Sequence, residues 1–389
     1  MGHAKVAVKR VGSYDEAVIR SAVEAALAEI GDRGAIVSPG AKVFVKVNHL
    51  SPPSPPERGI ITHPLFTAAV VAVLKDITSH ITVGDDLHPS TSDGFEVSGY
   101  RAMCARLGVR LVNLREIGFS RVEKGGHVLR ELYIARALLD ADVVVNLPKL
   151  KTHSLTLFTG AVKNMYGLIP GGLRTAYHGQ HKNPAEFNEV LVDIFSAARP
   201  HLTVMDGIVA MEGAGPANGT LRKLGVILAS QDAVAVDAVA CRIIGLDPLA
   251  VATTRLAHER SLGVGDLSRI EVVGEKLEDL VVQDFKLPPL PAGEIVARAP
   301  RFLTRFVTRQ LTVRPVVVRR NCVGCGACAR ICPTGAATVV NGVARIDRRT
   351  CIRCMCCHEA CRYSAITLRR SALDRALQPF LRPRRRARP

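Results

Sequence analysis

Eight cysteines fall into two runs of identical spacing. Cys322, Cys325, Cys328 and Cys332 read C-x2-C-x2-C-x3-C, with Pro333 next, and Cys351, Cys354, Cys357 and Cys361 repeat the pattern at an offset of 29 residues. Thiolates are soft ligands, suited to iron–sulfur centres and zinc. Three cysteines two residues apart can wrap one corner of an inorganic cube, and the longer x3 step sends the fourth thiolate elsewhere. Zinc sites usually show paired C-x2-C units, four ligands to each ion, and triplet-plus-one runs fit that poorly. A disulfide framework belongs to short secreted chains. This chain has 389 residues, and its opening MGHAKVAVKR has no apolar segment, which predicts no signal peptide. Structural cysteines have no reason to keep one register twice. Cys356 fits neither run and is the spare.

The two runs resemble those of bacterial two-cluster ferredoxins, over about residues 320–370. In that pattern the fourth cysteine of each run ligates the other cluster. The resemblance implies that Cys322, Cys325, Cys328 and Cys361 hold one 4Fe–4S cluster, and that Cys351, Cys354, Cys357 and Cys332 hold a second. It also implies one-electron transfer. Arg362 stands where the second run often has proline, which removes no ligand.

A second set of polar residues gathers where β-rich runs end. Lys46 and Asn48 close 42–47; Asp85, Asp86 and His88 close 80–84; Asp206 closes 201–205; and 224–229 runs into Asp232. The run 142–147 ends in PKLKTH, with Lys149, Lys151 and His153 ahead of a helix with Lys163 and Asn164, a stretch that reads either as an anion site or as a solvated basic loop. In open α/β sheets, ligands sit outside the carboxyl ends of the strands. Lysines beside a helix N-terminus suit a carboxylate or phosphate. Lys163, His153 and Asp206 are the catalytic candidates, the last two for proton handling. Lys46, Asn48, Asp85, Lys149, Lys151, Asn164 and Glu212 are the substrate-binding candidates. Glu212 falls in MDGIVAMEGAGPANG (205–219), a glycine-rich loop that is neither a Walker loop nor G-x-G-x-x-G. No H-E-x-x-H, G-x-S-x-G or EF-hand pattern occurs. His63 reads as a helix-start residue, and Cys104 and Cys241 as small buried hydrophobes.

Those residues need a scaffold. KVFVKV, HITVGD, VRLVNL, DVVVNLP, HLTVMD, LGVILAS and RIEVVG read as strands. Helical periodicity lies between many of them, as in PAEFNEVLVDIFSAAR and DAVAVDAVACRIIG. Ser13 and Glu16 read as a capping box, and Pro64 as a first-turn proline. The alternation predicts an α/β fold, a mostly parallel sheet with helices on both faces, followed by a small α+β ferredoxin-type domain. The expected organisation is an α/β domain over 1–285, a proline-rich linker and basic amphipathic segment over 286–319, the iron–sulfur domain over 320–370 and an arginine-rich tail over 371–389.

The net charge of +17 is uneven: residues 301–389 hold 20 arginines, no lysine and three acids, so the whole excess lies there. Arg301, Arg305 and Arg309 form a helical stripe opposite Phe302, Leu303, Phe306 and Val307. Such a segment can pack on its own protein, lie on anionic membrane or meet an acidic electron partner. Charge without a nucleic-acid-binding motif predicts no specific nucleic acid. No apolar run reaches the 18 or so residues of a membrane span.

The motifs KVN (46–48), THP (62–64), VGDD (83–86), PKLKTH (148–153), TGAVKNMYG (159–167), MDGIVAMEGAGP (205–216) and SQDAVAVDAVA (230–240) together resemble the domain-of-unknown-function 362 family, over about residues 5–275. Val47 stands where the family more often has proline. The resemblance implies this domain layout and an iron–sulfur protein, and it supplies no substrate. The expectation is a cytoplasmic oxidoreductase. A donor or acceptor protein exchanges electrons with two 4Fe–4S clusters, and these serve an anionic or carbonyl-containing small molecule. The alternatives are an electron-transfer subunit for a separate enzyme and a metal or cluster assembly factor.

Overall fold

The structure is a computed structural model that describes residues 3–31, 33–50, 53–87, 93–123, 125–288 and 313–371. His88, the arginine stripe at 300–311, the linker from 289 onward and the tail from 372 lie outside them. Among the described residues no helix is long and apolar enough to cross a membrane.

Short runs of β-branched residues build the main sheet. Its strands are β1 (Ala4–Arg10), β2 (Val43–Val47), β3 (Ile81–Asp85), β4 (Arg110–Asn113), β7 (Val143–Leu147), β8 (Lys149–His153), β9 (Leu157–Thr159), β10 (Leu202–Glu212), β11 (Thr220–Ser230) and β12 (Ile270–Gly274). A separate hairpin pairs β5 (Phe119–Val122) with β6 (Leu132–Ala135). The order across the main sheet is β12-β1-β11-β10-β7-β2-β3-β4, with β8 and β9 alongside β10. β2, β3, β4, β7 and β10 run parallel, while β11 is antiparallel to both of its neighbours. All five residues of β2 and of β7 are buried, as strands covered on both faces must be.

The two faces separate by alternation. Val43, Val45 and Val47 share a core with α1 (Glu16–Ile30) and α2 (Pro64–Lys75). Phe44 points the other way, into a core with α4 (Ala161–Asn164) and α6 (Pro184–Ala197). α3 (Tyr100–Leu107) joins the first face, and α7 (Ala233–Ile243) covers β1 and β11 on the second. α5 (Gly171–Gln180) lies between α4 and α6 in sequence. Asp15, not the Ser13–Glu16 pair, caps α1: its carboxylate accepts from Ala17 N and Val18 N at 3.0 Å each. An aspartate at the N-cap already reaches the orphan amides of the first turn, so no capping box is needed. His63 caps α2 as expected, its Nδ1 accepting from Leu65 N at 3.3 Å.

From β2 the chain moves outward to β3 and β4, then returns to lay β7 on the other side of β2. The carboxyl ends of β2 and β7 therefore diverge at a topological switch point, where open α/β sheets form their ligand crevice. Lys46 and Asn48 sit at one lip, and Lys149 and Lys151 at the other.

Residues 313–371 form a small α+β unit. β13 (Val313–Val317) pairs with β16 (Ile366–Arg370), and β14 (Ala337–Val340) with β15 (Val343–Ile346). Two single-turn helices, α8 (Ala327–Arg330) and α9 (Cys356–Glu359), begin near the third cysteine of each run. The repeat holds at the backbone level. Gly324 and Gly326 flank Cys325 at φ +68° and +74°, and Arg353 and Met355 flank Cys354 at +61° and +65°. Left-handed backbone costs a residue with a Cβ roughly 1–2 kcal/mol, so the second loop is held by something beyond its own preference. At Gly324 there is also no room, because a Cβ would lie 2.5 Å from the Gly342 carbonyl oxygen. Gly324→Ala is expected to open this loop and lower the iron retained on anaerobic purification. Iron content equal to wild type would show that the loop absorbs the change.

Candidate functional site

The cysteines ring two voids, and the partition crosses the two runs. Cys322, Cys325, Cys328 and Cys361 line one void. Cys332, Cys351, Cys354 and Cys357 line the other. Each holds about 300 Å³ with its open mouth included. Among the described residues no three His, Cys, Asp or Glu side chains converge as a lone metal ion needs; the thiols instead stand around a space. Backbone amides point at the sulfurs: Ala344 N to Cys322 Sγ and Ala365 N to Cys361 Sγ, both 3.3 Å. Four thiols about a void, with N–H donors to the sulfur, is the donor set that suits a cluster. Cys356 lines neither void. It is buried at the start of α9, its Sγ 4.0 Å from the Cys354 carbonyl oxygen.

The crevice residues come next. Lys149–His153 is a strand, not a loop, because parallel pairing with β10 and antiparallel pairing with β9 capture its backbone. A strand sends alternate side chains to one face, so Lys149, Lys151 and His153 line up while Leu150 enters the core on the other side. All three polar residues are buried.

Their partners divide the crevice into connected clusters. Lys149 Nζ donates to Asp206 Oδ2 at 2.8 Å and to the Tyr14 hydroxyl. Tyr14 in turn donates to Asp206 Oδ1 at 2.9 Å and stacks on His63 with ring centroids 3.8 Å apart. Lys151 Nζ donates to Asn48 Oδ1 at 2.7 Å and to the Ile60 carbonyl. Asn48 Nδ2 donates to Asn164 Oδ1 at 3.0 Å, and Asn164 Nδ2 to Asn146 Oδ1 at 2.7 Å. Lys46 Nζ pairs with Asp85 Oδ1 at 2.9 Å. Asp85 also accepts His49 N at 2.7 Å and Asp86 N at 2.8 Å. Gly167 packs over that pair, where a Cβ would stand 2.9 Å from both Asp85 Oδ1 and Lys46 Nζ.

Burial governs the charges. Desolvation lowers the Lys46, Lys149 and Lys163 ammoniums from their usual range. Lys151 falls to about 7, through burial first and then the positive charges of Lys163 and Lys149. His153 is pushed well below the ordinary imidazole range by burial first and then by the positive charges of Lys163, His178 and Lys151. Its Nδ1 accepts from Leu155 N at 3.1 Å and Thr156 N at 3.3 Å. The proton of the neutral ring therefore belongs on Nε2.

His153 Nε2 faces Glu359 Oε1 of α9, 3.4 Å away, and neither buried atom has a hydrogen-bond partner among the described residues. A buried polar atom without a partner costs about 1–3 kcal/mol, so this gap favours whatever group can bridge it. Burial raises the Glu359 carboxyl, and the positive charges of Lys163, His358 and Lys151 offset part of the rise. Lys163 Nζ lies 6.0 Å from the Tyr166 ring centroid, and Glu359 is the opposite charge that acts on it most strongly. The iron–sulfur unit thus packs against His153 and the loop after β10. Asn218 Nδ2 donates to the His358 carbonyl at 2.7 Å, Ser364 Oγ donates to Asn218 Oδ1 at 2.9 Å, and His358 Nε2 lies 3.2 Å from the Ala214 carbonyl.

Two expected features take other forms. The N-terminus of α4 is not open to a ligand anion, because Asp237 fills it: its carboxylate accepts Ala161 N at 2.6 Å and Val162 N at 3.0 Å. Burial holds this carboxyl at about 7. Within 205–219 only 213–219 is loop, since β10 runs through Glu212. Glu212 is buried and accepts Lys286 N at 3.0 Å. Asp232 caps α7 and accepts Val264 N at 2.8 Å. Tyr14, His49 and Glu359 join the site without a sequence signal. Tyr14 looks like helix-start filler, and Glu359 hides inside a cysteine run.

The family model "Domain of unknown function (DUF362)" matches residues 43–242, more than half of the chain. The chain belongs to the DUF362 family. A second model, "4Fe-4S binding domain", matches residues 315–338, which hold the first cysteine run, so this DUF362 protein is an iron–sulfur protein. A relative is the Thylakoid-associated protein sll1697 of Synechocystis sp., 32% identical over 318 residues, covering 79% of this chain and 97% of the relative. Among solved structures, the DUF362 chain aligns with the lactate racemase apoprotein of Thermoanaerobacterium thermosaccharolyticum. That alignment has TM-score 0.35 and 16% identity, over 55% of this chain and 51% of the other. A Thermotoga maritima protein aligns at TM-score 0.32 and 15% identity, over 52% of each. The chain therefore spans about half the length of these two structures.

Proposed function

We propose that this DUF362 protein is an oxidoreductase with two 4Fe–4S clusters, one in each cysteine-lined void, serving a small anionic or carbonyl-containing molecule in the crevice. The observation that carries the reading is the meeting of Glu359, from the second cysteine run, with His153 of the crevice at 3.4 Å. It favours an enzyme over an electron-transfer subunit, because the iron–sulfur unit is built onto a polar site of its own chain. When bound, such clusters supply electrons one at a time.

The protein side chains do the rest. Lys151 and Lys163 attract and orient negative charge in a place too dry for water to screen it. His153 presents its Nε2 proton to the molecule being reduced, and Nδ1, held by two backbone amides, keeps that tautomer. Asp206 is engaged by Lys149 and Tyr14, so its part is to hold Lys149 charged in the wall. Asn48 and Asn164 fix Lys151 through a chain of amide hydrogen bonds. Cytoplasmic placement, with peripheral membrane contact through the basic segments, belongs to the same reading; fractionation of cells with a salt wash tests it.

Anaerobic purification is the deciding experiment. The reading expects about eight iron and eight sulfide per chain and a small anion identifiable by mass. A colourless protein, or one holding only zinc, overturns it.

A further inference from the structure

Among the described residues of 313–371 four large hydrophobic side chains are exposed, and three of them line one of the two voids. Val323 is 60% exposed, Tyr363 39% and Val339 36%, and all three line the void of Cys322, Cys325, Cys328 and Cys361. No such exposed side chain lines the other void. Cys325 is also the one exposed cysteine among the described residues. One void therefore opens outward through an apolar surface.

Two arginines border that surface. Exposed Arg330 donates Nη1 to the Cys325 carbonyl at 3.0 Å, and exposed Arg362 lies 5.1 Å from the Tyr363 ring centroid. Across 313–371 nine arginines are exposed against a single exposed acid, Asp347. Asp347 is engaged by Arg349 N and the Thr350 hydroxyl. An apolar centre within a charged rim is the anatomy of a protein interface. The sign of the rim selects an acidic partner.

We propose that this face docks an acidic one-electron carrier protein. The inference rests on the reading that the outward void holds a cluster. A carrier seated on Val323 and Tyr363 stands at the edge of that site, and electron exchange weakens steeply with distance. One electron passes from the reduced carrier into the site; no bond forms or breaks, and no proton moves. The chain's own undescribed segments are poor occupants, because 289–312 and 372–389 are themselves rich in arginine.

The test uses the anaerobically purified, iron-loaded full chain and fluorescently labelled flavodoxin, an acidic carrier. Binding is read by anisotropy, and reduction by loss of visible absorbance. Binding is expected to weaken at least tenfold between low salt and about 0.5 M salt, and Arg330→Glu with Arg362→Glu to weaken it about tenfold or more at low salt. Val323→Asp, which puts a like charge at the apolar centre, is expected to weaken binding of the iron-loaded protein. Salt-indifferent binding overturns the proposal, as does wild-type affinity in the Val323→Asp protein. It is also overturned if the same substitutions abolish sedimentation with phosphatidylglycerol vesicles yet leave flavodoxin binding unchanged. Failure of the underlying reading looks different: the protein lacks iron before any flavodoxin is added.

Discussion

Cys361→Ala is expected to cost the protein one cluster and spare the other, with iron falling from about eight to about four atoms per chain. The residue lies in the second run, but its thiol lines the void of the first run and accepts Ala365 N at 3.3 Å. Cys332→Ala should give the complementary loss, since Cys332 lines the void of the second run. Pairing the substitutions makes the test sharper. Cys361→Ala with Cys322→Ala removes two ligands from one void, so it should lose no more iron than either alone. Cys361→Ala with Cys351→Ala damages both voids and should leave almost none. Such coupling is read as a departure from additivity. The reverse pattern would mean that each run holds its own cluster, against the arrangement of the voids.

Lys163→Ala should empty the crevice while leaving the clusters' visible absorbance at the wild-type level. Removing one charged partner from a dry contact costs about 2–5 kcal/mol, on the order of a 30- to several-thousand-fold loss of affinity. Mass spectrometry of the denatured protein reads the result directly, and wild-type occupancy would take Lys163 out of the site. Lys151 adds a pH dependence. Its ammonium is held at about 7 by burial and by Lys163 and Lys149, so anion retention should be strong below pH 7 and fall as pH rises through it. In Lys151→Met the retention should be weak and flat over the same range. The stability linkage has a defined sign as well. With a native value below that of the unfolded chain, the unfolded state binds the extra proton above pH 7. Stability contributed by this group is therefore full above the unfolded lysine range and is lost as pH falls toward 7.

Much of the fold was legible because its signals are local. Strands β2, β3, β7 and β12 are short β-branched runs, and α6 and α7 show helical periodicity. The run Lys149–His153 is not legible as a strand, because two lysines, a threonine and a histidine after a proline resemble a solvated loop. Tertiary pairing with β10 overrode that composition, since strand propensity depends on neighbours more than on the residue itself. The capping of α1 failed for a smaller reason: Ser13, Asp15 and Glu16 all carry oxygen acceptors, and local geometry chose the one adjacent to the first turn.

By itself the sequence determined which atoms can hold a cluster, because spacing along a chain limits what neighbouring thiols can surround. It also placed the lysines and the histidine near strand ends. Only the tertiary structure decided what faces them. Tyr14 reaches Asp206 across 192 residues, and His358 meets Ala214 across 144. Glu359 closes on His153 from the far end of the chain. Contacts at such separations arise from how sheets and units pack, and no local pattern records them.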